Sequence, residues 1–235
     1  MRKMPVMFAN SRESMVVSMF DLMRVKFYQF LEHWLAQGLF SAVKFTFYKY
    51  EEAVLVTKDL FSLKPIDSKF VNTDLSILEI NRGNYKDNEI RYVLKSRSER
   101  VARYVKKGYQ SFCLVKNRQI IGDLWYVPRS SARTEVLHPC LRWFGITLSD
   151  DEVYMFDMYM APDFRGDGIT TFFMNSTLHL LRKKGFNRAY GYFANHNISA
   201  LWVHRIIGWQ ELEHFEVKRF FLHETAKPKV QQKNA

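Results

Sequence analysis

The run VYMFDMYM (153–160) passes directly into Ala161-Pro162 and then into DFRGDGIT (163–170). A run rich in aromatic residues that stops at a proline reads as a strand, because proline cannot extend a ladder. From about Thr171 to Lys184 the pattern turns helical and closes on Gly185. Strand, glycine-rich loop and helix in that order point to an α/β fold. A loop before a helix presents unpaired backbone N–H groups, and the helix dipole adds partial positive charge there. Gly166 and Gly168 would let the backbone approach an anion closely, and Arg165 carries a guanidinium suited to phosphate. The same loop contains the tripeptide RGD, but so short a string arises readily by chance, and the N-terminus lacks the apolar segment of a secretory signal.

Around this unit the chain divides into recognisable pieces. Residues 11–37 carry a helical period through Val16, Phe20, Met23, Phe27, Phe30, Leu31 and Trp34, with Ser11 as a candidate cap and Gly38 as the end. Residues 39–50 fit either a basic amphipathic helix or a strand, and AVLVT (53–57) reads as a strand. Pro65 and a polar stretch mark a joint. Residues 1–71 are therefore expected to form an amphipathic N-terminal extension, 72–223 the main domain and 224–235 a flexible tail. Within the main domain LSILEIN is a strand, and Ser96 with Glu99 matches a capping box. YQSFCLV and IIGDLWYV form a candidate hairpin around KNRQ. Residues 128–152 make a long connection, RAYGYF is a strand, SALWVHRII a helix closed by Gly208, and FEVKRFFL a last strand.

Composition narrows the class. With 47% hydrophobic residues and 20 Phe, the chain can bury a sizeable core and disorder is confined to the ends. Cys113 and Cys140 lack CxxC spacing, which signals neither a disulfide framework nor a metal site. With no signal segment and no apolar run long enough to span a bilayer, the expected location is cytoplasmic. A formal charge of +11 favours anionic partners. The cluster RYVLKSRSERVARYVKK (91–107) could meet RNA, but no RNA-binding motif accompanies it, and nucleic acid is not expected as a partner.

The loop PDFRGDGIT (162–170), followed by NISALWVHRIIGW (197–209), resembles the GNAT acyl-coenzyme A N-acyltransferase family. The resemblance covers about 108–222 well and extends back to 72. Thr170 stands where Gly or Ala is usual, Trp209 replaces a Phe, and His204 occupies a Tyr position. Residues 1–71 resemble, more faintly, the basic helical extension of some bacterial members from polysaccharide gene clusters. The resemblance implies a mixed, mostly antiparallel sheet flanked by helices, with acetyl-CoA or another acyl-CoA as cosubstrate and a small-molecule amine as acceptor. It implies that main-chain groups of Met158, Tyr159 and Met160 hold the acyl-pantetheine arm. Arg165, Gly166, Asp167, Gly168, Ile169 and Thr170 would hold the pyrophosphate.

Transfer to an amine needs a proton acceptor and a proton donor for the thiolate. In a period-two strand Asp157 shares a face with Val153, Met155 and Tyr159, and apolar neighbours would raise its pKa and make it a base. The alternative is a carboxylate satisfied by neighbouring donors. Glu152 is a second candidate. His204 as imidazolium could protonate the thiolate, or it could simply favour a helix C-terminus. Tyr159 or Tyr192 could replace it. Asn197 would orient the pantetheine arm or cap the next helix. An amino-sugar intermediate of surface polysaccharide is the favoured acceptor. The basic extension suggests peripheral contact with the inner face of a membrane, or else packing on the domain itself. Two rival readings are an enzyme that takes acyl chains from an acyl carrier protein and a non-catalytic interaction module of the same fold.

Overall fold

The computed structural model describes residues 11–70, 73–85, 91–129, 138–220 and 223–229. The Ser11 cap, the side chain of Val16, residues 130–137 of the long connection and the end of the tail lie outside the described set. The elements run α1 (Ser11–Gln37), α2 (Leu39–Phe47), β1 (Tyr48–Asp59), β2 (Leu75–Ile80), β3 (Arg91–Tyr92), α3 (Lys95–Lys106), β4 (Gln110–Lys116), β5 (Gln119–Pro128), α4 (Pro139–Trp143), β6 (Glu152–Met160), α5 (Ile169–Lys183), β7 (Arg188–Ala194), α6 (Ile198–Ile207), β8 (Gln210–Phe220) and β9 (His223–Pro228).

One sheet runs in the order β2-β4-β5-β6-β7-β1-β8-β9, with β3 beside β5. Its ladders are antiparallel except β6 with β7 and β3 with β5. Each face of the sheet carries a core. Phe173, Leu178 and Leu181 of α5 and Ile207 of α6 pack with Val153 and Met155 on one face. Val101 and Val105 of α3 and Leu141 of α4 pack with Tyr154 and Phe156 on the other. The mixed sheet flanked by helices is the expected fold.

Four local expectations differ from the structure. The ambiguous run 39–50 is both helix and strand, since α2 ends at Phe47 and β1 begins at Tyr48. β1 then pairs along β7 on one edge and β8 on the other, from Ala53↔Ala194 to Asp59↔Arg188 and from Tyr48↔Phe220 to Thr57↔Gln210. A boundary at residue 72 therefore cuts through the sheet. Residues 224–228 of the expected tail belong to β9, a strand paired with β8. Ser96 does not cap α3: the cap position is Leu94 without a side-chain bond. Ser96 instead gives its backbone N–H (2.9 Å) and hydroxyl (2.5 Å) to the Glu32 carboxylate, which binds α1 to α3.

Candidate active site

The parallel ladder between β6 and β7 holds for only three pairs and ends at Tyr154↔Tyr190. Beyond it the strands part around a cavity of about 700 Å³ lined by Met155–Met158 on one side and Gly191–Ala194 on the other. Gly191 sits at the fork, where a Cβ would lie 3.3 Å from the Met155 carbonyl oxygen. A side chain there would push the strands apart from below.

The bend in β6 has a local origin. Against β5 the register runs Asp123↔Tyr159 and then Trp125↔Phe156, so Asp157 and Met158 together face one residue. This is a β-bulge, and Asp157 adopts φ 49°, a left-handed conformation that Asp tolerates better than most residues. The bulge breaks the period-two pattern. Asp157 leaves the face of Val153 and Met155 and turns toward α3, where Arg97 Nη1 donates to its Oδ2 (2.8 Å), Arg100 Nη1 to its Oδ1 (3.0 Å) and the Tyr104 hydroxyl to its Oδ2 (2.8 Å). Burial acts to raise its pKa, but the charges of Arg100 and Arg97 and the Tyr104 hydrogen bond outweigh it and hold the carboxyl well below the ordinary range. The expected raised pKa is thus reversed, and a carboxylate so fully paired is a poor proton acceptor. Arg97 also donates to the buried Asp123 through both Nε (2.9 Å) and Nη2.

The loop after β6 carries a run of positive-φ residues and ends at an uncapped helix start. Gly166, Asp167 and Gly168 have φ of 120°, 48° and 84°. Gly168 occupies the cap position of α5 with no side-chain hydrogen bond; the Ile169 N–H donates to the Gly166 carbonyl (3.1 Å), and the N–H groups of Thr170 and Thr171 lie in the first turn, where such groups are open to an anion. Arg165 Nε donates to the Met160 carbonyl (3.0 Å) and fixes the loop to the strand end. Lys69 Nζ, which the sequence did not single out, donates to the Asp167 carbonyl (3.3 Å) and adds a cation beside the loop.

Of the residues expected at the site, Asp157, Met158, Met160, Arg165, Gly166, Asp167, Gly168 and Thr170 line this one cavity. Asn197 and His204 line it from the other wall. Asn197 caps α6 by accepting from the Ala200 N–H (3.1 Å). His204 sits between the rings of Phe193 (4.8 Å) and Trp209 (5.3 Å), not on the helix surface. Its Nδ1 donates to the Ala200 carbonyl (2.7 Å), so the neutral ring carries its proton there and leaves Nε2 as an acceptor. Burial lowers its pKa; it is therefore not an imidazolium at neutral pH. Tyr192 lines the cavity.

Three expected residues fall outside the cleft. Ile169 packs into the core on the α5 face. The Tyr159 hydroxyl is buried without a hydrogen-bond partner among the described residues, and its ring lies 5.1 Å from the Arg97 guanidinium. Glu152 is occupied at the closed end of the strand, accepting from Tyr190 (3.1 Å) and the Ser149 N–H (2.9 Å).

The structure adds a carboxylate that sequence reasoning missed. Glu51 of β1 lines the cavity and is 6% exposed. Its Oε1 lies 2.5 Å from Lys49 Nζ but makes no directional hydrogen bond, so its partner there is a charge and not a donor in line. Nothing local marks this residue, because β1 reaches the cleft only through its pairing with β7.

The profile of the Acetyltransferase (GNAT) family matches residues 77–209. That is more than half of the 235 residues, and the chain belongs to this family. No curated protein matches the chain. Among solved structures, a GCN5-related glucosamine N-acetyltransferase region of a fungal multi-domain GH3 β-N-acetylglucosaminidase is similar at a TM-score of 0.51 and 14% identity, covering 79% of this chain and 22% of that one. A Drosophila protein is similar at 0.46 and 9%, covering 80% of this chain and 57% of that one. An aminoglycoside N-acetyltransferase in complex with CoA is similar at 0.42 and 16%, covering 59% and 93%.

Proposed function

We propose that this chain transfers an acetyl group from acetyl-CoA to a primary amine. The observation that carries the reading is the gap between β6 and β7, with the Gly166–Gly168 loop at its mouth. The pyrophosphate would rest on the first-turn N–H groups of α5 and near Arg165. The pantetheine arm would lie along Met158 to Met160, and the thioester carbonyl would meet main-chain N–H groups at the bulge, whose shape Arg97 and Asp157 maintain.

Glu51 is the group suited to take the proton of the incoming ammonium. With Asp157 saturated by three donors, it is a buried carboxylate on the cavity wall whose Oε1 has no directional hydrogen bond among the described residues. The freed amine attacks the thioester carbon, the tetrahedral intermediate expels the thiolate, and the proton still on nitrogen passes to sulfur. The products are the N-acetyl amine and CoA. The proton held by Glu51 returns to solvent.

An amino sugar is the first acceptor to try, since glucosamine is named for the fungal structure. The charge of +11 would also suit an acidic acyl carrier protein as donor. The test is calorimetric titration with acetyl-CoA on the wild type and Gly168→Trp, followed by thiol-release assays with glucosamine and other primary amines. Saturable binding lost in the variant, together with amine-dependent thiol release, supports the reading. A wild type that binds no acetyl-CoA overturns it and moves attention to carrier-bound donors.

A further inference from the structure

Helix α1 faces its own domain with charge. Helical spacing puts Asp21, Tyr28 and Glu32 on one side, and there Asp21 meets Lys106 (2.8 Å) and Glu32 meets Ser96. Arg24, at the border of that side, reaches Glu99 (2.9 Å). A second side meets α2, through Lys26 to the Thr46 carbonyl (3.2 Å) and His33 to Ser41 (3.0 Å). The third side is apolar and faces outward: Phe20, Phe27 and Trp34 are 61%, 58% and 46% exposed, with Met19 and Met23 among them. A helix packed for water alone would bury that side and expose the charged one.

The exposed apolar surface continues onto the neighbouring elements. In α2 Leu39, Phe40 and Val43 are exposed, Phe40 at 91%. Tyr48 and Tyr50 at the start of β1 are exposed too, and Phe220 lies directly opposite Tyr48 on β8. So large a patch marks an interaction site. The exposed charges set among these residues are basic: Lys44 on α2 and Lys218, which pairs with Tyr50 across the ladder. Among the described residues, the acids of α1 are turned inward onto α3.

We infer that this face docks on an anionic lipid surface. The apolar side chains would enter the acyl boundary, the tyrosines and Trp34 would sit at the headgroup level, and Lys44 and Lys218 would meet the lipid charge. No helix among the described residues is long and apolar enough to cross a membrane, so the contact is along the surface. A second copy of the chain fits less well, because a two-fold interface through this patch would bring a basic face against itself. The inference is independent of what the cleft transfers.

The test is co-sedimentation of the full chain with vesicles of phosphatidylcholine, with and without phosphatidylglycerol, at low and high salt. Phe27→Glu combined with Phe40→Glu is the matched variant; both side chains are exposed, and an unchanged thermal midpoint confirms its fold. The wild type should bind the anionic vesicles about tenfold or more tightly than the neutral ones, lose binding in high salt, and lose it in the variant. Wild-type protein left in the supernatant with anionic vesicles overturns the inference. Equal binding to both vesicles overturns its electrostatic half. A dimer in sedimentation velocity that the variant dissociates shows that a second copy covers the face instead.

Discussion

Arg97 Nη1 donates to Asp157 Oδ2 across 2.8 Å, and with the Arg100 and Tyr104 bonds to the same carboxylate it ties the first helix of the family domain to the bulge that opens the cleft. The other side of the same guanidinium holds the fully buried Asp123. Replacing Arg97 strands two carboxylates at once. Arg97→Met is expected to cost about 3–5 kcal/mol, the range for removing one partner of a buried pair, read by urea unfolding. Loss of under about 1 kcal/mol would mean that the bulge is held by its ladder alone.

The depressed pKa of Asp157 makes a statement about acid stability. Its ionised form is favoured by folding, so its contribution is fully present above the unfolded value, about 3.9, and is lost as pH falls below it. Wild type and Asp157→Asn should therefore differ in stability at neutral pH and converge in acid. Parallel curves across that window would show that the arginines do not discriminate charge at this position.

Histidine 138 carries the opposite kind of dependence. Its ring lies 4.2 Å from Phe156 and 5.3 Å from Tyr154, and burial, aided by the Lys107 charge, lowers its pKa to about 3. The unfolded chain takes up a proton near pH 6.5 where the folded one does not, so stability falls as pH drops from about 6.5 toward the folded value. His204 acts in the same direction. His138→Phe should flatten this part of the pH–stability curve, as measured by thermal unfolding over that range.

Glu51→Gln preserves shape and removes the base. Thiol release with an amine that the wild type acetylates should show kcat lower by about 10² to 10⁴, with acetyl-CoA affinity unchanged. A rise in KM for the amine at constant kcat would make Glu51 an ammonium anchor and not a base.

Gly191 tests the fork itself. Gly191→Val should weaken acetyl-CoA binding by about tenfold or more, because its branch meets the Met155 carbonyl and the Trp209 ring. Unchanged affinity would place the ligand elsewhere in the cavity.

Much of the fold was readable because it is local. The helix over 11–37, the strand before Ala161-Pro162 and the glycine loop each declare themselves through periodicity or a breaker. The conformation of the loop proposed to hold the pyrophosphate could be read in the same way, since Gly166 and Gly168 adopt positive φ within one short segment. Asp157 could be found but not understood. Its neighbours in sequence are apolar, while Arg97 and Arg100 arrive from sixty and fifty-seven residues away and reverse its electrostatics. Glu51 could not be found at all, since its role depends on a strand pairing that no local pattern encodes.

The place of β1 in the sheet also governs when the protein can be completed. This strand leaves the ribosome early, yet both its neighbours, β7 and β8, lie in the last quarter of the chain. Until residues 188–220 emerge, its apolar core Ala53–Val56 has no sheet to join, and closure must wait for nearly the whole polypeptide. Any attempt to trim the chain to its family segment, 77–209, would remove β1 together with β8 and β9 and leave β7 as an open edge.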